Sequence, residues 1–286
     1  MKIIKYFIES LFIIFLLIVF KILGLKFSSN LGSIIGGLLG PFFRSKNTII
    51  SNIKKALPEA EQKDIEIITK KMWKNYGRIL SEYVFIKNFR NSKDEKFFSV
   101  EGQEILNGIK NTNEPVIFIS GHFNNFELMA MQIEKSGINL AAIYRPLNNV
   151  FLNKIMERIR KKYICQKQIK KGRSGTRELL ESFKKNYSIA LMIDQRVSEG
   201  IKSDFFDQSA LTTTIPAQLV KKFGCKIIPV YIERIRGSFF KLKIDRPIIY
   251  EKDSSIEEIT LDLNNCLEKM ILNNPSQWIW SHNRWK

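Results

Sequence analysis

The chain has 286 residues, enough to bury a full core in one large or two small domains. Its hydrophobic content, 44%, is ordinary for a globular protein and excludes a polytopic membrane protein. The charge balance is the outlier: 46 Lys and Arg against 28 Asp and Glu give +18, a field that favours nucleic acid, an anionic bilayer, or phosphorylated or acidic substrates.

The N-terminus sets the compartment. Leu11 to Phe20 is an unbroken apolar run inside a longer apolar stretch, Ile3 to Leu25, which only Lys5, Glu9 and Lys21 interrupt. That length matches the roughly 20 residues needed to cross a hydrocarbon core, and no small-x-small cleavage site follows it. Residues 1–27 therefore read as a membrane anchor helix, with charges at both ends that leave open whether it spans the bilayer or lies in the interface. Residues 28–44 contain the apolar, Gly-rich run Leu31 to Phe43 and read either as a helix against the body or as a second, interfacial segment.

From residue 45 to 286 the pattern is that of one α/β domain. Gln62 to Phe85 has apolar spacing near 3.6 and predicts a long amphipathic helix. Short apolar strands follow at Pro115–Ser120, Ala141–Tyr144, Ser188–Ile193 and Lys226–Ile232, with further strand signal at Phe239–Ile244 and Pro247–Tyr250. Helices are expected at about 126–135, 151–162, 176–185, 215–223 and 256–272. Alternating strands and helices imply a largely parallel central sheet flanked by helices. Cys165, Cys225 and Cys266 are scattered and odd in number, which argues against a zinc site or disulfide framework and for reduced, buried thiols facing the cytoplasm.

Of two histidines, His122 lies just past the end of a predicted strand and before a predicted helix, where open α/β sheets hold their ligands. Gly121 permits a tight turn, and Asn124 or Asn125 could cap the helix. His122 and Glu127 would be separated by roughly 140° on one continuous helix, so they meet only if the histidine sits in the turn and the glutamate on the first helical turn. In contact, Glu127 would fix the imidazole tautomer and leave the other ring nitrogen as base for a substrate hydroxyl. No G-x-S-x-G elbow sets up a protein nucleophile.

The segment GHFNNFE (residues 121–127) resembles the G-H-x-G-N-W-E block of the bacterial lipid A late acyltransferases, the lauroyl- and myristoyl-transferring family. Four more blocks follow in order: Ala142–Pro146 with Asn148 and Asn149, Ile193–Gln195, Phe205 to Thr213, and Gln277–Lys286. The resemblance implies a glycerolipid-acyltransferase-like fold and transfer of a fatty acyl chain from an acyl carrier protein thioester to a hydroxyl of a lipid A precursor's acyl chain. The setting would be the inner membrane, with the catalytic domain facing the cytoplasm. It implies His122 as general base with Glu127 as its catalytic partner, Arg145, Asp194, Gln195 and Asn125 as substrate-binding residues, and neither metal nor cofactor. The acyl carrier protein, the phosphorylated glycolipid and an anionic membrane surface would all meet the basic surplus. No base-reading motif supports nucleic acid as a partner. The departures are Asn124 where the family commonly has Gly, Phe126 for its Trp, and Ile215 where Gly is frequent.

Alternatives are an acyltransferase for another glycolipid or phospholipid, or a catalytically silent lipid-binding member of the fold. For His282, in the C-terminal block, a packing role within a rigid aromatic corner is expected over a catalytic one.

Overall fold

The computed structural model describes residues 2–93 and 96–286, so Met1 of the expected anchor lies outside the described residues. Helix α1, Lys2–Leu39, comes first and breaks at Gly24, whose φ of 76° lies in the left-handed region that glycine enters without strain. The break frees the carbonyl of Phe20, and the Ser28 hydroxyl donates to it at 2.5 Å. Along the first part Ile3, Ile4, Phe7, Ile8, Leu11, Phe12, Phe15 and Ile18 are exposed. Such an apolar surface on a helix of this length fits a membrane anchor.

Past Gly24 the helix docks tightly on α3, Gln62–Glu82. A Cβ added to Gly77 would lie 1.8 Å from the Gly32 carbonyl oxygen, and one added to Gly36 would lie 2.4 Å from that of Trp73. Glycine at these positions lets the two backbones touch. Ile34, Leu38, Leu39, Phe42 and Phe43 remain exposed on the far side. Residues 28–44 thus have one face packed on the body and one apolar face outward.

The body follows as α2 (Lys46–Ala56), α3, α4 (Ile86–Asn91), β1 (Phe98–Glu101), α5 (Gln103–Thr112), β2 (Ile117–Ser120), α6 (Glu127–Lys135), β3 (Leu140–Tyr144), α7 (Val150–Tyr163), β4 (Lys167–Lys170), α8 (Arg173–Lys184) and β5 (Ser188–Met192). Then come β6 (Ile201–Phe205), β7 (Gln208–Thr212), α9 (Ile215–Phe223), β8 (Ile227–Arg236), β9 (Phe239–Ile244) and α10 (Ile256–Asn273). Local chemistry fixes the boundaries. Asn149 caps α7 by accepting from the amides of Phe151 and Leu152, Ser255 and Glu258 form a capping box on α10, and Gly224 ends α9 in the left-handed conformation.

Seven strands form one sheet in the order β1-β9-β8-β2-β5-β3-β4, parallel throughout except for the β8–β9 pair. The expected largely parallel α/β architecture is present. Strand β2 is buried along its whole length, as a central parallel strand covered on both faces must be. The expected strand at Pro247–Tyr250 reduces to a single bridge between Ile227 and Ile248.

Strands β6 and β7 form a separate antiparallel hairpin, turned by Phe206 and Asp207, both at positive φ. The C-terminal aromatic block docks on it. Arg284 is fully buried, lies over the Phe205 ring, and donates to the Leu211 carbonyl and the Thr212 hydroxyl. Trp278 and Trp280 meet edge to face at 4.7 Å, and the expected rigid aromatic corner is there.

Candidate active site

Strand register builds the centre. Ser120 of β2 pairs with Met192 of β5, and two residues beyond each, at the C-terminal edge of the sheet, stand His122 and Asp194. Their approach is close enough that a Cβ on Gly121 would lie 2.9 Å from the Phe123 ring and 3.3 Å from the Asp194 Cβ, so a side chain there would wedge the turn apart. Asn124 completes the turn at φ 48°, a left-handed conformation that asparagine tolerates.

Asp194 is buried and receives three donors. Its Oδ2 accepts from the His122 backbone amide at 2.8 Å and from the Trp278 indole at 2.8 Å, and its Oδ1 lies 2.8 Å from His122 Nδ1. Burial opposes ionisation of this carboxyl, but the imidazole and the three donors outweigh it and bring its pKa down to about 2. An ionised Asp194 holds the proton on Nδ1 and leaves the Nε2 lone pair of His122 facing a crevice of about 410 Å³.

This corrects the expected pairing. Glu127 does not hold the His122 Nδ1, because Asp194 already occupies that nitrogen. The Glu127 carboxylate turns instead to Arg160 of α7, which it bonds through Nε at 2.9 Å and through the terminal guanidinium nitrogen, and to the Tyr83 hydroxyl at 3.2 Å. Although burial disfavours charge on Arg160, the Glu127 carboxylate holds its pKa above the ordinary value. Glu127 and Arg160 line the crevice together with His122.

The other expected residues separate. Arg145, following β3, is exposed and lines the crevice, as does Gln195. Asp194 sits behind the imidazole, in a supporting position that differs from its expected place on the crevice lining. Asn125 is also displaced from substrate: it is buried, and its amide donates to Glu82 at 3.3 Å. Neither asparagine caps α6 through its side chain, since the cap residue is Phe126.

Several contributors were not singled out from sequence. Gln277 clamps the turn that carries His122, its carbonyl accepting from the Asn124 amide at 2.9 Å and its side chain bonding both the Asn124 amide group and the backbone of Arg234. Glu82, fully buried, forms an ion pair with Arg234 at 2.5 Å and accepts from Ser29 of α1 at 2.8 Å, which ties the anchor helix to the His122 turn through Asn125. Arg160 belongs to the basic run of Arg158, Arg160, Lys161 and Lys162, yet its side chain is only 12% exposed. Asp194 was legible in the sequence through the Ile193–Gln195 block, as a substrate-binding residue and not as the partner of His122.

The crevice lining includes the apolar Phe126, Ala130, Ala142, Ile164, Leu191 and Met192, together with the exposed Arg44, Arg145 and Lys171. The arrangement offers a base, apolar lining and exposed cations.

All 286 residues match the model of a single protein family, described as bacterial lipid A biosynthesis acyltransferase. The chain belongs to that family. It is similar to the lipid A biosynthesis palmitoleoyltransferase of Escherichia coli K12, with 24% identity over 261 residues, 90% of this chain and 84% of that protein. Lipid A biosynthesis acyltransferase 2 of Shigella flexneri is 24% identical over 253 residues, 85% of this chain and 78% of its own. The lipid A biosynthesis myristoyltransferase of E. coli K12 is 19% identical over 241 residues, 82% and 73% of the two chains. Membership in this family makes the chain an acyltransferase of lipid A biosynthesis.

Proposed function

We propose that this acyltransferase moves a fatty acyl chain from an acyl carrier protein thioester to a hydroxyl on an acyl chain of a lipid A precursor, at the cytoplasmic face of the bacterial inner membrane. The observation that carries the mechanism is the His122–Asp194 pair, with the free Nε2 opening on a crevice whose lining is partly apolar. His122 Nε2 takes the proton of the acceptor hydroxyl as its oxygen attacks the thioester carbon. The carbonyl π pair moves onto oxygen. On collapse the C–S bond breaks, and the departing thiolate takes the proton back from His122. Asp194 stabilises the imidazolium in between. Because the nucleophile belongs to the substrate, no acyl-protein intermediate forms.

Glu127 acts through Arg160, anchoring α6 to α7 across the crevice and so setting its width. Arg145, Gln195 and Lys171 line the same space and meet the phosphates of either substrate, and the +18 surplus draws an anionic leaflet, an acidic carrier and a phosphorylated glycolipid. The lipid A acyltransferase names of the E. coli and Shigella relatives support the acceptor class.

The test incubates membranes containing the full chain with acyl carrier protein thioesters and lipid A precursors, with products read by mass spectrometry. Wild type adds one acyl chain, and His122→Ala does so about 10²–10⁴-fold more slowly. Absence of transfer by wild type to any hydroxyacyl glycolipid overturns the proposal.

A further inference from the structure

The chain's second histidine also reaches the crevice. His282 lines it together with His122, although the two are 160 positions apart in a chain of 286 residues. Its backbone is locked from two sides: Asn52 of α2 donates to the carbonyls of Trp280 at 2.8 Å and His282 at 2.6 Å, and the Arg284 amide donates to the His282 carbonyl at 2.9 Å. The ring itself is asymmetric in its surroundings. Nδ1 is buried with no hydrogen-bond partner among the described residues, which leaves Nε2 as the nitrogen available to the crevice.

That asymmetry selects a tautomer. A proton on Nδ1 would be an orphaned buried N–H, which folded proteins rarely tolerate, whereas an unpaired buried lone pair is less unusual. Arg44 and Arg284 add positive potential around the ring. Burial, reinforced by His122 and these arginines against the opposing pull of Asp194, also lowers the pKa of His282. The ring is therefore a neutral imidazole with Nε2–H directed at the crevice.

We propose that His282 is a second catalytic residue, whose Nε2–H donates a hydrogen bond to the thioester carbonyl oxygen as the tetrahedral intermediate forms. The inference rests on the acyl-transfer reading above. Oxyanion stabilisation needs a donor fixed before the reaction begins, and a neutral donor leaves the nearby base its full proton affinity. His282 meets both requirements. Arg160 bonds Glu127 through Nε and its other terminal nitrogen and leaves Nη1 without a partner among the described residues, but it is a charged donor, and Arg145 lies on an exposed side chain, suited to phosphate and less to a fixed donor. No proton is transferred by His282: the oxyanion's pair returns to re-form C=O when the thiolate leaves.

The experiment measures steady-state acyl transfer by the full chain in membranes for wild type, His282→Gln, His282→Ala and His282→Phe, with thermal unfolding of each. Gln places an N–H near the position of Nε2, whereas Phe fills the space without a donor. The expected result is a loss of roughly 10²–10³-fold in kcat for Ala and Phe with little change in KM, and recovery to within about tenfold of wild type in Gln. Equal loss in Gln and Phe, loss confined to KM, or unaltered kcat in Ala overturns the inference while leaving the acyl-transfer reading intact. Absence of transfer in wild type overturns both.

Discussion

Asp194 Oδ1 stands 2.8 Å from His122 Nδ1 because Ser120 and Met192 pair in register, and each chain then runs two residues past the sheet edge. The His122–Asp194 contact is therefore written in the β2–β5 ladder, and the five-residue spacing to Glu127 does not create it. Replacing Asp194 by Asn reverses the hydrogen bond that fixes the tautomer and moves the proton to Nε2. Asp194→Asn should lower kcat by about 10³–10⁴-fold with the fold retained. Glu127→Gln should cost less in kcat and more in stability, because it weakens the counter-charge of a buried guanidinium. Steady-state kinetics and thermal unfolding of the two variants separate these roles, and a larger kcat loss in Glu127→Gln would contradict the assignment.

The same aspartate gives the fold an acid-dependent increment. Its carboxyl falls from an ordinary value of 3.8 to about 2 in the folded chain. A depressed carboxylate binds fewer protons folded than unfolded, so its contribution is complete above about pH 4 and disappears as pH falls through about 2. The stability gap between wild type and Asp194→Asn, measured as urea midpoints, should be constant from pH 7 to 5 and shrink between pH 4 and 2. A gap that stays constant to pH 2 would show that Asp194 is not held ionised by its partners.

Contact between α1 and α3 depends on absent side chains. Gly77→Ala places a methyl 1.8 Å from the Gly32 carbonyl, backbone against backbone, with no flexible group to yield. The helices must separate, at a cost of at least about 1–3 kcal/mol. Thermal unfolding in detergent should show a fall of several degrees, with activity reduced through Ser29 and Glu82, which connect this contact to the His122 turn. An unchanged midpoint would disprove the close approach.

The thiols should be inert. Burial pushes Cys165 and Cys225 up to about 12 and Cys266 to about 11, so each is protonated at neutral pH. Alkylation of the native chain by iodoacetamide should be slow, and Cys165→Ala should transfer acyl chains at the wild-type rate. Rapid labelling of one cysteine with loss of activity would revive a covalent acyl-thiol route.

Much of the α/β order is legible in the sequence because helices such as Ile215–Phe223 and buried strands such as Ile117–Ser120 carry strong periodicity or unbroken apolar runs. Strands β1 and β4 escape it: FSVE and KQIK are four-residue edge strands too short and polar to carry a period. His122 was visible from the strand–Gly–His junction, and Arg145 and Gln195 from the blocks that resemble the family. The partner of His122 was not, because the order β2-β5-β3 inserts a strand from 70 residues later beside β2, and sequence spacing favours the nearer carboxylate. Gln277 was hidden for a related reason, and His282 reads from the sequence as a packing residue, since only tertiary docking of the C-terminal block brings the one to the His122 turn and the other to the crevice.

A double-mutant cycle on acyl transfer with His122→Ala, Asp194→Asn and the double variant decides whether His122 and Asp194 act as one catalytic unit. The prediction is that the double variant is no slower than His122→Ala alone, since without the imidazole the aspartate has nothing to orient. Additive losses in the cycle, or wild-type kcat in Asp194→Asn, would contradict it.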